Sequence, residues 1–316
     1  MIGSLFAASL ALTALQDPVT PPPSAAQDPT VYRLEEIVVE GTRLEERTAE
    51  YVREVAAPAR GRGPARWRQG VCVGAANFDP EVAQYLVDRV SDVARDLGLS
   101  AGQPGCQPSI LIIGTTDGAS FTRDFVEMRP RLFVVGGGGM DRGRNALEDF
   151  MSSDRPVRWW HVSMPTDSET GERAVRLPGD HVGSYDRAID VLGYAPQVSV
   201  TVASRIQSSI EDTMKRSFVI IDVDKLGGVS LEQLGDYVAM VALVQVNPDA
   251  DTSRYETILN LFEAPDSIAG LSGWDRAYMD GMYAVRPGRV STMVQVQTIT
   301  QAIVAAYRNQ PEGAED

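Results

Sequence analysis

The sequence predicts a single globular domain of the α/β or α+β class, with a βαβ start, a mixed sheet, a buried central helix and C-terminal helices. Three observations carry this. Gly70–Asn77 (GVCVGAAN) and Ser109–Gly114 (SILIIG) are β-prone runs on either side of a helical stretch with one apolar stripe. Phe218–Val223 (FVIIDV) is a near-continuous apolar run, the pattern of a strand covered on both faces. The run after Ser230, LGDYVAMVALVQV, is apolar all round apart from Asp236 and Gln245, which predicts a helix inside the core.

The chain opens with Ile2–Leu15, small and apolar but shorter than the roughly 20 residues a bilayer span needs. It reads as a signal peptide over residues 1–16, which places the protein in the periplasm or outside the cell. Residues 17–49 read as a disordered linker, because QDPVTPPPSAAQDP is too polar and Pro-rich to fold. Within it, EEIVVEGTRLEE resembles the TonB box of outer-membrane receptors. The resemblance implies that Ile37 to Arg43 could add a strand to a partner such as TonB. Five arginines (Arg53, Arg60, Arg62, Arg66 and Arg68) follow, and in an acidic chain they are expected to pair with the domain's own carboxylates.

From there the elements come in order. Asp79 is placed to cap a helix opened by Pro80, with Val82, Leu86, Val90, Val93 and Leu97 inward and Gly98 as its stop. The βαβ unit should be right-handed with parallel strands, which brings strand starts together. Cys72 and Cys106 lie near two such starts and are expected to form a disulfide in an exported protein. A helix over Phe121–Met128 and a shorter one over Asn145–Met151 are expected around the glycine run Gly136–Gly139. Pro156–Met164 (PVRWWHVSM), the turn DSETG and the return run ERAVRL predict a hairpin. Trp159, His161 and Ser163 share one face of its first strand, and Arg158, Trp160 and Val162 the other. Val198–Val202 alternates like a strand, and Arg205–Arg216 is expected to be helical. Ser230 and Gln233 form a capping box for the core helix, which ends before Pro248. Ser272 caps a helix carrying Trp274, Tyr278 and Met282, and Arg289–Arg308 is the last helix, with Met293, Ile299, Ile303 and Tyr307 inward. The domain spans residues 50–308, followed by an acidic tail over 309–316.

Composition excludes several functions. With 43 acidic against 29 basic side chains, the net charge of −14 opposes a nucleic-acid partner. Two Cys and two His cannot build a Cys-rich zinc module. The four glycines lack the Gly-Lys-Ser/Thr ending of a phosphate loop, and no G-x-S-x-G elbow occurs. Asp222 and Asp224 end the central strand, where a carboxylate pair could share a face or simply meet solvent.

Three features together resemble a family of uncharacterised exported Gram-negative bacterial proteins that look like zinc-dependent peptidases. They are the strand-helix-strand with a Cys on each side, the strand and core helix FVIIDVDKLGGVSLEQLGDYVAMVALVQV, and the succession ILNLFEAPDSIAGLSGWDRAYMDGMYAVRPG. The resemblance implies a zincin-like body. The core helix departs from that pattern, offering Asp236 and Tyr237 but no His, so the H-E-x-x-H motif is missing and no metal or other cofactor is expected. The reading that follows is a non-catalytic, zincin-like protein binding a peptide or an envelope protein. Its groove candidates are Trp159, Trp160, His161, Asp236 and Tyr237. Two alternatives stand beside it: an atypical hydrolase using His161 and His181 with a carboxylate, and a TonB-interacting periplasmic module.

Overall fold

A computed structural model describes residues 43–58, 63–68, 70–134, 141–174, 209–285 and 292–310. The expected signal peptide, most of the expected linker, Ile37 to Thr42, Gly136–Gly139, His181, Val198–Val202 and the tail beyond residue 310 lie outside them. No helix among the described residues is long and apolar enough to cross a membrane.

The folded body is mixed α/β. Its main sheet has the order β2-β4-β6-β5, from Val73–Ala76, Ile110–Thr115, Ile210–Asp222 and Val157–Asp167. The pairs β2/β4 and β4/β6 are parallel, and β5/β6 is antiparallel. A second, two-stranded parallel sheet joins β1 (Gly70–Val71) to β3 (Ser100–Ala101). The chain breaks at Cys72 between β1 and β2, so the first predicted strand is shared between two sheets.

Helix α2 (Pro80–Asp96) makes the crossover between β2 and β4, with Leu86, Val90, Val93 and Ala94 buried. Asp79 occupies the cap position without a side-chain hydrogen bond, so Pro80 and the dipole-favoured Glu81 set this start. Its end is a Schellman motif. Gly98, at φ 78°, donates to the Arg95 carbonyl and Leu99 to that of Ala94. Helices α3 (Gly118–Met128), α4 (Pro130–Phe133) and α5 (Arg144–Ser152) cover the opposite face. There Phe133, Phe150, Trp160, Phe218 and Ile220 form a compact aromatic layer.

The larger core lies on the first face. Val219 and Ile221 of β6 meet helix α6 (Leu231–Leu243), whose residues Leu234 to Leu243 are all buried. The capping box closes as expected, with Ser230 and Gln233 each satisfying the other's backbone N–H. Helices α7 (Gly273–Ala284) and α8 (Thr292–Arg308) complete this side. They cross closely at Gly281, where a Cβ would stand 2.4 Å from Ile303 Cγ1. Ser272 and Asp275 form a second capping box, while Asp275 also accepts the Ile258 N–H at 2.8 Å.

Three expectations need correction. Residues 43–49, assigned to the linker, belong to helix α1 over 43–55, because Leu44, Thr48, Tyr51, Val52 and Val55 form a stripe against the core. Residues 210–216 are strand, not helix, since they pair with β5 through Val162 to Asp167 and ladder pairing overrides helical propensity. The partner of β5 is therefore β6, and the described part of the return run ERAVRL, residues 172–174, bridges Thr166 through Arg173. The turn before it is built as read, with Asp167 Oδ1 accepting the N–H groups of Glu169 and Thr170 and Gly171 at positive φ.

The cysteines are bonded. Cys72–Cys106 ties the break between β1 and β2 to the segment before β4, at a sequence separation of 34 and a Cα to Cα distance of 6.1 Å. By loop-closure entropy this contributes about 3–4 kcal/mol. Replacing both cysteines by serine should lower unfolding stability by about that amount in a urea titration. A loss under about 1 kcal/mol would show that the unfolded chain gains little from the opening of this loop.

Candidate functional site

Two of the residues singled out in the sequence, Trp159 and His161, meet the chain at the C-terminal end of α6. A helix leaves its last carbonyls without intrahelical partners, and here that end is buried. Three ring side chains supply the donors. His161 Nε2 donates to the Val241 carbonyl at 2.7 Å, Trp67 Nε1 to Ala242 at 3.1 Å and Tyr283 Oη to Leu243 at 2.7 Å. Just beyond the helix, Trp159 Nε1 donates to the Val246 carbonyl at 2.9 Å. Strand β5 supplies two of these donors from a single face, as the alternation of Trp159 and His161 requires.

His161 is buried, and desolvation lowers its pKa to about 4, against the smaller raising effect of its bond to Val241. A carbonyl only accepts, so Nε2 carries the hydrogen, and the lowered pKa keeps the ring neutral at pH 7. Its role in this geometry is to close the helix end. Asp236, near the start of the helix, is equally committed. Its Oδ1 accepts from Arg89 Nε and its Oδ2 from the Leu271 N–H at 2.9 Å. Residue 270 must be glycine for this approach, because a Cβ there would lie 2.5 Å from Asp236 Oδ2.

Trp160 points to the other layer, where its Nε1 donates to the Phe133 carbonyl at 3.0 Å and its ring packs on Phe150. It cannot share a groove with Trp159, since neighbouring residues on a strand face opposite ways. Of the five groove candidates, only Trp159 and Tyr237 meet at a common opening. They line a cavity of about 200 Å³ with Arg155, Pro248, Phe262 and Glu263 among its walls. The Tyr237 ring stands edge-on to Trp159 at 6.1 Å and to Phe262 at 5.0 Å. Burial raises the Tyr237 phenol well above its ordinary range, and the charges it feels are those of Arg155 and Glu263. Arg155 reaches Asp249 at 2.5 Å, whereas Glu263 makes no ion pair among the described residues.

Sequence reasoning missed Arg155, Phe262 and Glu263. Phe262 was visible as an isolated aromatic between the turn Ile258–Asn260 and Pro265, but nothing in its spacing aims it at β5. Asp222 and Asp224 do not form a pair. Asp222 is buried and its Oδ2 accepts the Gly118 N–H at 3.0 Å, while Asp224 lies in the exposed turn after β6. The buried Arg158 lies against Gly118, and among the described residues its Nε and Nη1 find no hydrogen-bond partner, nor does Asp222 Oδ1. Among the described residues, no three His, Cys, Asp or Glu side chains gather as metal ligands would.

The arginines of 53–68 divide. Arg68 pairs with Glu211, Arg66 donates to the Tyr283 carbonyl at 2.6 Å, and Arg60 and Arg62 lie outside the described residues. Comparison with protein-family models, curated proteins and solved structures finds no match to this chain.

The lowered pKa of His161 has a signed consequence. The unfolded chain takes up a proton below pH 6.5, and the folded protein resists it until about pH 4. The contribution of His161 to stability is therefore full above pH 6.5 and falls by about 3 kcal/mol between 6.5 and 4. In His161→Gln an amide can donate to Val241 without titrating, so its urea midpoint should fall less steeply over that window. Parallel pH profiles for the two proteins would assign the titration elsewhere.

Proposed function

We propose that the protein is an exported, non-catalytic, zincin-like binding protein that takes a peptide segment, alone or as part of an envelope protein, and anchors one of its side chains in the cavity beside Trp159 and Tyr237. The observation that carries the reading is that these two aromatic residues, on different elements, wall one opening with Phe262. The core helix supports it from the other side. Where a zinc peptidase would present imidazoles, α6 presents Asp236, which accepts from Arg89 and from the Leu271 N–H. The Cys72–Cys106 bond suits an oxidising compartment and so supports export.

A filled cavity tests this. Ala250 is half-buried on the cavity wall, and Ala250→Trp would occupy the space. Panning a peptide display library against the full protein should enrich related sequences whose binding falls at least tenfold on Ala250→Trp, a loss of about 1.4 kcal/mol. Enriched peptides that bind both proteins equally would remove the cavity from the binding site.

A further inference from the structure

We propose that the side chain held in this cavity is a lysine, so that the partner is a basic peptide segment; the assignment rests on the cavity being the peptide site. Three aromatic residues, Trp159, Tyr237 and Phe262, are among the lining residues, and an ammonium over an aromatic ring is held by its quadrupole. The methylene stem of a lysine gains from the same walls while its head stays polar. The charges at the rim point the same way. Arg155, the basic residue among those that line the cavity, pairs with Asp249 at 2.5 Å, so it already has an acid. Glu263, an exposed residue of the lining, has no basic partner among the described residues.

Tyr237 adds a second polar group. Its side chain is buried, it makes no hydrogen bond among the described residues, and its phenol oxygen can accept from an ammonium at the cavity wall. A single carboxylate and a single phenol suit the compact, rotatable donors of an ammonium, where a guanidinium fork would call for a bidentate acceptor. The net charge of −14 also draws a cationic segment toward the protein rather than an anionic one.

The test uses three probes, the acetylated and amidated tripeptides Gly-Lys-Gly, Gly-norleucine-Gly and Gly-Glu-Gly, titrated into the full protein while the Trp159 indole resonance is followed. The lysine peptide should bind at least tenfold more tightly than the norleucine one. Glu263→Gln, at an exposed position, should reduce that preference to about twofold, and Tyr237→Phe should weaken the lysine peptide several-fold with the fold intact. Equal binding of lysine and norleucine peptides, both lost in Ala250→Trp, would overturn the ammonium and leave the cavity standing. Preference for the glutamate peptide would overturn it too, and would make Arg155 the anchor. Binding of all three unaffected by Ala250→Trp, or no indole shift with any, would remove the cavity reading and the lysine together.

Discussion

The architecture depends on how one helix ends. Helix α6 is buried from Leu234 to its last residue, so the carbonyls of Val241, Ala242 and Leu243 finish inside the protein. Leaving such a group unpaired costs about 1–3 kcal/mol, and three together would rival the net stability of a domain. The fold meets the demand with donors from three distant places: Trp67 before the first strand, His161 on β5 and Tyr283 at the end of α7. These bonds fix the depth of α6 against the sheet. They also fix the face of β5 toward it, and thereby set Trp159 and Tyr237 side by side.

This constraint explains why some of the structure was legible in the sequence. Local rules worked where the cause is local. The Ser230–Gln233 box, the Gly98 stop and the side-chain-closed turn at Asp167 are each made by residues a few positions apart. Burial patterns worked where one element's composition decides its place, as in Phe218–Asp222 and in α6 itself. The disulfide was legible because parallel neighbours bring their starts together, a rule that needs only the order of elements.

Apart from the side-chain cap expected of Asp79, what failed was non-local. Residues 210–216 have helical character in isolation and become strand because β5 offers a long partner. Residues 43–49 look like linker until the core they cover is known. The site divided along the same line. Trp159 and Tyr237 could be chosen by type, and alternation on β5 separated Trp159 from Trp160. Phe262 and Glu263 reach the cavity from a segment remote in sequence from Trp159, with no pattern of their own. His161 was chosen for the chemistry its ring can do, and the structure gives that ring to a carbonyl.

The indoles of Trp159 and Trp160 lie in adjacent positions yet in different layers, one against α6 and the other against Phe150. Trp67 sits at the end of α6, and Trp274 stacks on Tyr255 among the C-terminal helices. All four tryptophans of the chain are thus interior, distributed over each major packing region. The protein carries its own set of optical reporters: loosening of either layer, or of the C-terminal helices alone, exposes a different indole and shifts a separate fraction of the emission to longer wavelength.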